Sequence, residues 1–209
     1  MNADQQRRAN PFGMDAECRN CPALCETRER IVHGYGDVDA DFLFVGEAPG
    51  PGAEASGVPF DETGDRGRVR ELLAELGLWA GADDDGPVLV NTYLTLLTRC
   101  RDPDRVPTDE EVRNCEPFLN AEIRMINPEI LVPVGERALR EIAAEYTTTP
   151  AGEFDPRDVH ATAIRGRGFE LVPMLGPAAM DDDAAAAFVE RFAALMGSDY
   201  RQTKGRRGR

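Results

Sequence analysis

The chain has 209 residues, 42% of them apolar, which suits one domain with a sizeable core and short tails. No apolar run approaches the roughly 20 residues that span a bilayer, and the opening MNADQQRRAN lacks the apolar segment of a secretory signal. A cytoplasmic protein without membrane contact is therefore expected. Acidic residues outnumber basic ones 38 to 24, the net charge is −14, and Lys204 is the only lysine. Such a surface repels phosphate at low salt. At ~1 M salt, where the Debye length falls to about 3 Å, binding to nucleic acid would rest on a few local contacts. The composition fits a salt-adapted protein whose acidic runs are solvated faces.

Residues 1–16 read as a flexible arm, and residues 18–30 as a short helix or turn carrying three cysteines. Asp41–Gly46 (DFLFVG) is a compact apolar run of the kind that forms a buried parallel strand. EAPGPGAEASGVPFDETG is too rich in glycine and proline for anything but a loop. Residues 65–78 place Val69, Leu72, Leu73 and Leu76 on one helical face. A second strand is predicted over 87–95. Thr108-Asp109-Glu110-Glu111 is a capping box that opens a helix to about Ile126. A third strand over 129–135, a helix over 136–146, a fourth strand over 171–175 and an amphipathic helix over 182–196 follow. The domain is expected over 17–198, with a basic disordered tail over 199–209 (RQTKGRRGR at its end).

Strands that alternate with helices predict an α/β fold of three layers, a four-stranded parallel sheet with helices on both faces. Sites in such sheets form where strands end. The loops that begin at Glu47, near Thr95 and at Gly176 are therefore the ones to inspect.

Five cysteines in a reducing compartment are metal ligands or free thiols rather than disulfides. Cys18-x2-Cys21 lies in the polar stretch ECRNCPALCETRER, where nothing else calls for burial, and Cys100 and Cys115 form a distant second pair. Thiolates in this arrangement suit zinc or an iron–sulfur group, and the spacing does not separate the two. Cys25, one turn after Cys21, is read as packed and unligated.

Four segments together resemble the iron–sulfur branch of the uracil-DNA glycosylase superfamily, most closely its family 4. They are Cys18-x2-Cys21 with Arg28 and Val32-His33-Gly34-Tyr35-Gly36; Gly46-Glu47-Ala48-Pro49-Gly50 followed by Gly57-Val58-Pro59-Phe60; Thr98-Arg99-Cys100-Arg101 with Cys115; and Val172-Pro173-Met174-Leu175-Gly176-Pro177-Ala178. They run in the family's order across residues 18–180. The resemblance implies a 4Fe–4S cluster on Cys18, Cys21, Cys100 and Cys115, DNA as partner, a monomer, and hydrolysis of a base–sugar bond in base-excision repair.

Base flipping needs a pocket. The resemblance places Gly46, Ala48, Pro49, Gly50, Phe60, Leu96, Gly176 and Pro177 in it, with Phe60 as the stacking ring and Glu47 and Glu54 as candidate catalytic carboxylates. Two positions depart from the family. Its uracil-reading asparagine falls at Leu96, and the histidine of its His-Pro motif falls at Gly176. Asn91, His33 and His160 are the remaining candidates for substitutes. Arg99 and Arg101 either bind phosphate or offset cluster charge. The alternative to an active enzyme is a non-catalytic iron–sulfur DNA-binding relative.

Overall fold

The computed structural model describes residues 7–200. Its strands are β1 (Tyr35–Gly36), β2 (Phe42–Gly46), β3 (Trp79–Asp83), β4 (Gly86–Leu89), β5 (Thr92–Leu96), β6 (Ile130–Pro133), β7 (Ile164–Arg165) and β8 (Glu170–Leu171). Its helices are α1 (Pro22–Thr27), α2 (Pro51–Ser56), α3 (Arg68–Glu75), α4 (Asp109–Ile126), α5 (Glu136–Tyr146) and α6 (Asp182–Met196).

The main sheet has six strands in the order β1-β5-β2-β6-β8-β7, and a separate hairpin joins β3 to β4. The four inner strands, β5, β2, β6 and β8, are parallel, and the short edge strands β1 and β7 are antiparallel to their neighbours. The expected four-stranded parallel sheet is thus the centre of a mixed six-stranded one. The edge strands are two residues each, too short to leave a periodicity in the sequence.

Alternation across β2 separates two cores. Phe42 and Phe44 face one layer with Leu72, Leu73, Phe188 and Phe192 from α3 and α6. Leu43 and Val45 face the other with Val112, Leu119, Ile123, Ala138 and Ile142 from α4 and α5. Every residue of β2 is buried, which is why its sequence is a continuous apolar run.

Several boundaries differ from expectation. The strand expected over 87–95 is broken: Asn91 takes a left-handed φ of 50°, so β4 turns into the hairpin and only β5 enters the sheet. The first turn of the helix expected over 65–78 is a 3-10 turn, Gly64–Gly67, and the α-helix spans Arg68–Glu75. Inside the expected glycine and proline loop, α2 forms. Pro51 sits in its first turn, and the Glu62 carboxylate accepts the N–H groups of Gly52 and Ala53 (3.0 and 2.9 Å). The capping box at Thr108 is present with both of its bonds.

Residues 8–14 of the expected arm lie on the domain. Ala9 bridges to Tyr35, and Phe12 and Met14 are buried. At the other end Tyr200 packs on Phe42 (5.2 Å between ring centroids) and donates a hydrogen bond to Asp41. The remainder of the expected arm (1–6) and of the basic tail (201–209) lies outside the described residues. Among the described residues no helix is long and apolar enough to cross a membrane.

Candidate active site and thiol corner

The parallel strands end at Gly46, Leu96, Pro133 and Leu171, and the loops beyond them enclose a cleft of about 990 Å³. Chain order reverses here, since β5 lies on one side of β2 and β6 on the other. Gly46, Glu47, Ala48, Pro49, Gly50, Phe60, Leu96, Gly176 and Pro177 all line the cleft. The structure therefore brings together the residues expected to form the base pocket.

Gly46 and Leu96 are register partners at the ends of β2 and β5. A Cβ built on Gly46 would meet Cε1 and Cζ of Phe60 at 2.8 Å and Cδ2 of Leu96 at 3.0 Å. The Phe60 ring therefore rests directly on the backbone of Gly46, an approach only glycine allows. Phe60 itself has φ of 63°, a conformation that costs a bulky residue about 1–3 kcal/mol and that clusters at functional sites. Leu96 is 2% exposed and packs with Val32, Ala53 and Phe60. The pocket floor at the position of the family's asparagine is consequently apolar.

Gly176 contributes backbone alone. The residue before it, Leu175, donates its N–H to Nδ1 of His160 (3.1 Å), and Nε2 of His160 lies 2.8 Å from the carbonyl of Ala184. Nδ1 accepts, so Nε2 carries the proton and donates it to that carbonyl. His160 thus braces the Gly176 loop and has no nitrogen left for a ligand.

The other candidate substitutes lie elsewhere. Asn91 sits at the opposite end of β5, where its side chain bonds Asp41 N (2.7 Å) and Oδ2 (3.1 Å). Glu54 is 4% exposed and outside the cleft lining. It accepts from Glu29 N (2.8 Å) and pairs with Arg101 (3.3 Å), so the structure makes it a brace between the α2 and Cys100 segments. Neither ring nitrogen of His33 has a hydrogen-bond partner among the described residues, and burial holds its pKa down at about 4.

Of the two carboxylates expected to be catalytic, Glu47 alone lines the cleft. Its backbone carbonyl accepts from Thr98 N and Oγ1, and its carboxylate lies 3.9 Å from Arg137. Sequence reasoning missed Glu62, which lines the cleft while capping α2; a Cβ on Gly50 would fall 2.3 Å from its Oε1. An acid two residues after the stacking ring was the available signal. It also missed the rim cations Arg66 and Arg157, which are exposed and have no ion-pair partner among the described residues.

Arg99 is not a phosphate ligand. It is 1% exposed, pairs with Glu122 (2.6 Å), and donates to the Leu96 carbonyl (2.9 Å). Glu122 also accepts from Tyr93 and Thr95, which completes a buried polar network behind β5.

The cysteines collect at a corner beside the cleft. Cys21 and Cys100 pack together with Leu24. Negative charge on Cys18 or Cys115 reaches both and would raise their pKa values. Burial is the larger effect: it pushes the Cys100 thiol up to about 11 and raises Cys21 and Cys115. Two N–H donors point at sulfur, Arg28 Nη1 at Cys100 Sγ (3.2 Å) and Asn114 Nδ2 at Cys21 Sγ (3.6 Å). Cys25 Sγ lies 3.8 Å from the Cys18 carbonyl. Among the described residues no three Cys, His, Asp or Glu side chains are grouped closely enough to hold one metal ion. Four thiols from three segments with N–H donors on two sulfurs are a donor set that fits an iron–sulfur group, whose properties depend on such hydrogen bonds.

The sequence profile of the uracil DNA glycosylase superfamily matches residues 33–195. The chain is 32% identical over 168 residues to a type-4 uracil-DNA glycosylase of Thermotoga maritima, covering 77% of this chain and 76% of that protein. It is 35% identical over 137 residues to the type-4 enzyme of Archaeoglobus fulgidus, covering 63% of each. With a type-5 uracil-DNA glycosylase of Thermus thermophilus it shares 32% identity over 151 residues, 62% of this chain and 68% of that one.

Proposed function

The chain belongs to the uracil-DNA glycosylase superfamily, and from that premise we propose that its cleft receives a deaminated base flipped out of DNA and hydrolyses the bond between base and deoxyribose. The observation that carries the proposal is the position of Phe60. Its ring lies on Gly46, half-buried, in the lining of a cleft at the ends of parallel strands, where it offers an apolar surface to a planar ligand. Stacking on such a ring is worth about 1–3 kcal/mol per base and is indifferent to base identity. The cations Arg66 and Arg157 on the rim meet the phosphates on either side.

In this reading the base–sugar bond breaks and the base leaves as an anion, then takes up a proton. Water adds its oxygen to the anomeric carbon and gives up a proton. Glu47 orients that water or accepts its proton, and backbone N–H groups of the Gly46–Gly50 loop face the departing charge. The pocket includes Gly46, Ala48, Pro49, Gly50, Phe60, Leu96, Gly176 and Pro177; Glu54 has no place in it.

A second reading has its own support. The Leu96 side chain offers no hydrogen bond to a base edge, Gly176 offers no side-chain donor to a leaving base, and Asn91 and His160 are engaged elsewhere. A chain that binds DNA without cutting uracil would look like this.

Cys18, Cys21, Cys100 and Cys115 would hold a 4Fe–4S cluster, a thiolate-bound group that staples the α1 segment to α4 and to the loop after β5. Arg28 then offsets part of the cluster's negative charge through its contact with Cys100. A monomer in the cytoplasm suits both readings.

The deciding experiment is single-turnover excision from single- and double-stranded DNA carrying uracil, hypoxanthine or xanthine. It is run both at low salt and at ~1 M salt, where net charge stops acting beyond direct contact. Release of one of these bases establishes the enzyme. DNA binding without release establishes the non-catalytic relative. No binding in either salt removes both.

A further inference from the structure

A second concavity, of about 510 Å³, opens beside the thiol corner and shares no lining residue with the base cleft. Three arginines line it, Arg19, Arg28 and Arg30, together with Glu17, Glu29 and His33. The wall of the base cleft carries six carboxylates and four arginines, so this concavity has the opposite balance, within a chain whose net charge is −14. None of its three arginines has a carboxylate within ion-pair distance among the described residues. Arg28 is held in place: its Nη1 donates to Cys100 Sγ (3.2 Å) and its Nη2 to the Cys18 carbonyl (2.7 Å). A guanidinium has five N–H groups, so three remain once these two bonds are made. Arg30 crosses Gly57, the residue that ends α2, where a Cβ would fall 2.9 Å from its Nη1. His33 is the one buried residue of the lining. Its neutral ring has one N–H to donate. Neither nitrogen has a partner among the described residues, and the Asp15 carbonyl faces the ring without closing a bond.

An oxyanion answers each of these features. Guanidinium groups take phosphate oxygens through charge-assisted hydrogen bonds. An arginine already anchored loses little side-chain freedom in doing so. An oxygen seated beside it is the acceptor that the His33 N–H lacks. Glu17 and Glu29 are exposed, so water screens their charge more than that of the half-buried Arg28. From the three unpaired arginines, the anchoring of Arg28 and the unpartnered His33, we infer that this concavity is a phosphate site separate from the base cleft. Its occupant is a phosphate oxyanion, either a backbone phosphate of bound DNA or free inorganic phosphate. Glu54 of α2 links the two sites. It accepts from Glu29 N (2.8 Å) on this side and pairs with Arg101 (3.3 Å), which lines the cleft. A phosphate held here positions a strand without reading its sequence. The inference goes beyond the base-flipping reading and stands without it.

The test compares the full chain, the site variant Arg19→Gln with Arg30→Gln, and a charge-matched control, Arg124→Gln with Arg191→Gln, on α4 and α6. All four substituted arginines are exposed, and equal unfolding midpoints check the fold. Arg28 is left in place because it touches the thiol corner. Equilibrium dialysis measures binding of radiolabelled inorganic phosphate at an ionic strength held constant with chloride. Fluorescence anisotropy measures binding of a DNA duplex over a range of salt. The site variant is expected to bind phosphate about tenfold more weakly than wild type, while the control binds it as wild type does. If the occupant is a DNA phosphate, the slope of log K against log salt also falls by about 1 in the site variant and not in the control. An unchanged slope beside weakened phosphate binding assigns the site to free phosphate. A site variant that matches the control in both measurements overturns the inference. Failure of wild type to bind DNA overturns the base-flipping reading, and the dialysis then decides the phosphate site by itself.

Discussion

Gly176 and Gly135 meet backbone to backbone at the edge of the cleft, and a Cβ built on Gly176 would stop 3.4 Å from the Cα of Gly135. That is an ordinary contact, and Gly176 has φ of −68°, which any residue adopts. The position lacks a side chain without any backbone reason to lack one. A Cβ can therefore be added there without rebuilding the backbone of the loop. Leu96→Asn is the matching change on the pocket floor. The double variant Leu96→Asn with Gly176→His should excise uracil at least about 100-fold faster than wild type in single turnover, the scale of one leaving-group donor. Leu96→Asn alone should destabilise the fold by about 1–3 kcal/mol, because its amide replaces apolar packing. Brisk uracil release by wild type would show that neither position matters as argued.

The thiol corner predicts a separation among cysteine variants. Cys100→Ser should abolish the brown colour and bound iron of anaerobically purified protein. Cys25→Ser should keep both, because its sulfur contacts the Cys18 carbonyl, a partner that a serine hydroxyl can also take. Iron analysis and visible absorption read the result. Colourless wild-type protein with stoichiometric zinc would replace the cluster by a zinc site.

His33 makes the protein acid-sensitive. It is 7% exposed, edge-on to Phe118 (6.3 Å, 71°), and its pKa is lowered from 6.5 to about 4, first by burial and then by Arg99. The unfolded chain takes up the proton more readily, so this contribution is complete above about pH 6.5 and is lost as pH falls towards 4. The expected loss over that window is on the order of 1–3 kcal/mol. His33→Phe should flatten it, as measured by urea unfolding at pH 7 and pH 5. A slope unchanged by the substitution would assign the acid sensitivity to other groups.

The Arg99–Glu122 pair predicts a non-additive cycle. Arg99→Met leaves Glu122 charged and buried, still accepting from Tyr93 and Thr95. Breaking such a pair costs about 3–5 kcal/mol, while replacing both members by apolar groups is often close to neutral. Arg99→Met with Glu122→Met should therefore recover most of the stability lost in Arg99→Met. Denaturant midpoints for the four proteins measure it, and additive losses would contradict the argument.

Much of the fold is written locally. The apolar run of β2, the spacing of α3 to α6, and the Thr108 capping box each depend on residues within one turn or one strand of one another, and all are legible as periodicity. The Gly46–Gly50 and Gly176 segments announce strand ends for the same reason, since glycine and proline stop regular structure whatever surrounds them. Cys18 and Cys21 stand out because cysteines in a polar stretch have no reason to be buried, whereas Cys100 and Cys115 join them only through the resemblance.

Side-chain partnership was decided only by the tertiary structure. Glu54 and Asn91 looked available for catalysis, yet each is consumed by a segment about 25 to 50 residues away, Glu29 for one and Asp41 for the other. Glu62 holds the N-terminal turn of α2 with its carboxylate, a partnership across about ten residues of loop that no local pattern announces. Arg8, inside a stretch read as a loose arm, reaches Asp83 across 75 residues. The physical reason is the same in each case. Hydrophobic periodicity records which side of an element is dry, a property of the element alone. A charge or an amide is satisfied by whichever group the packed chain brings within 3 Å or so, and that neighbour is set by how the layers close over one another.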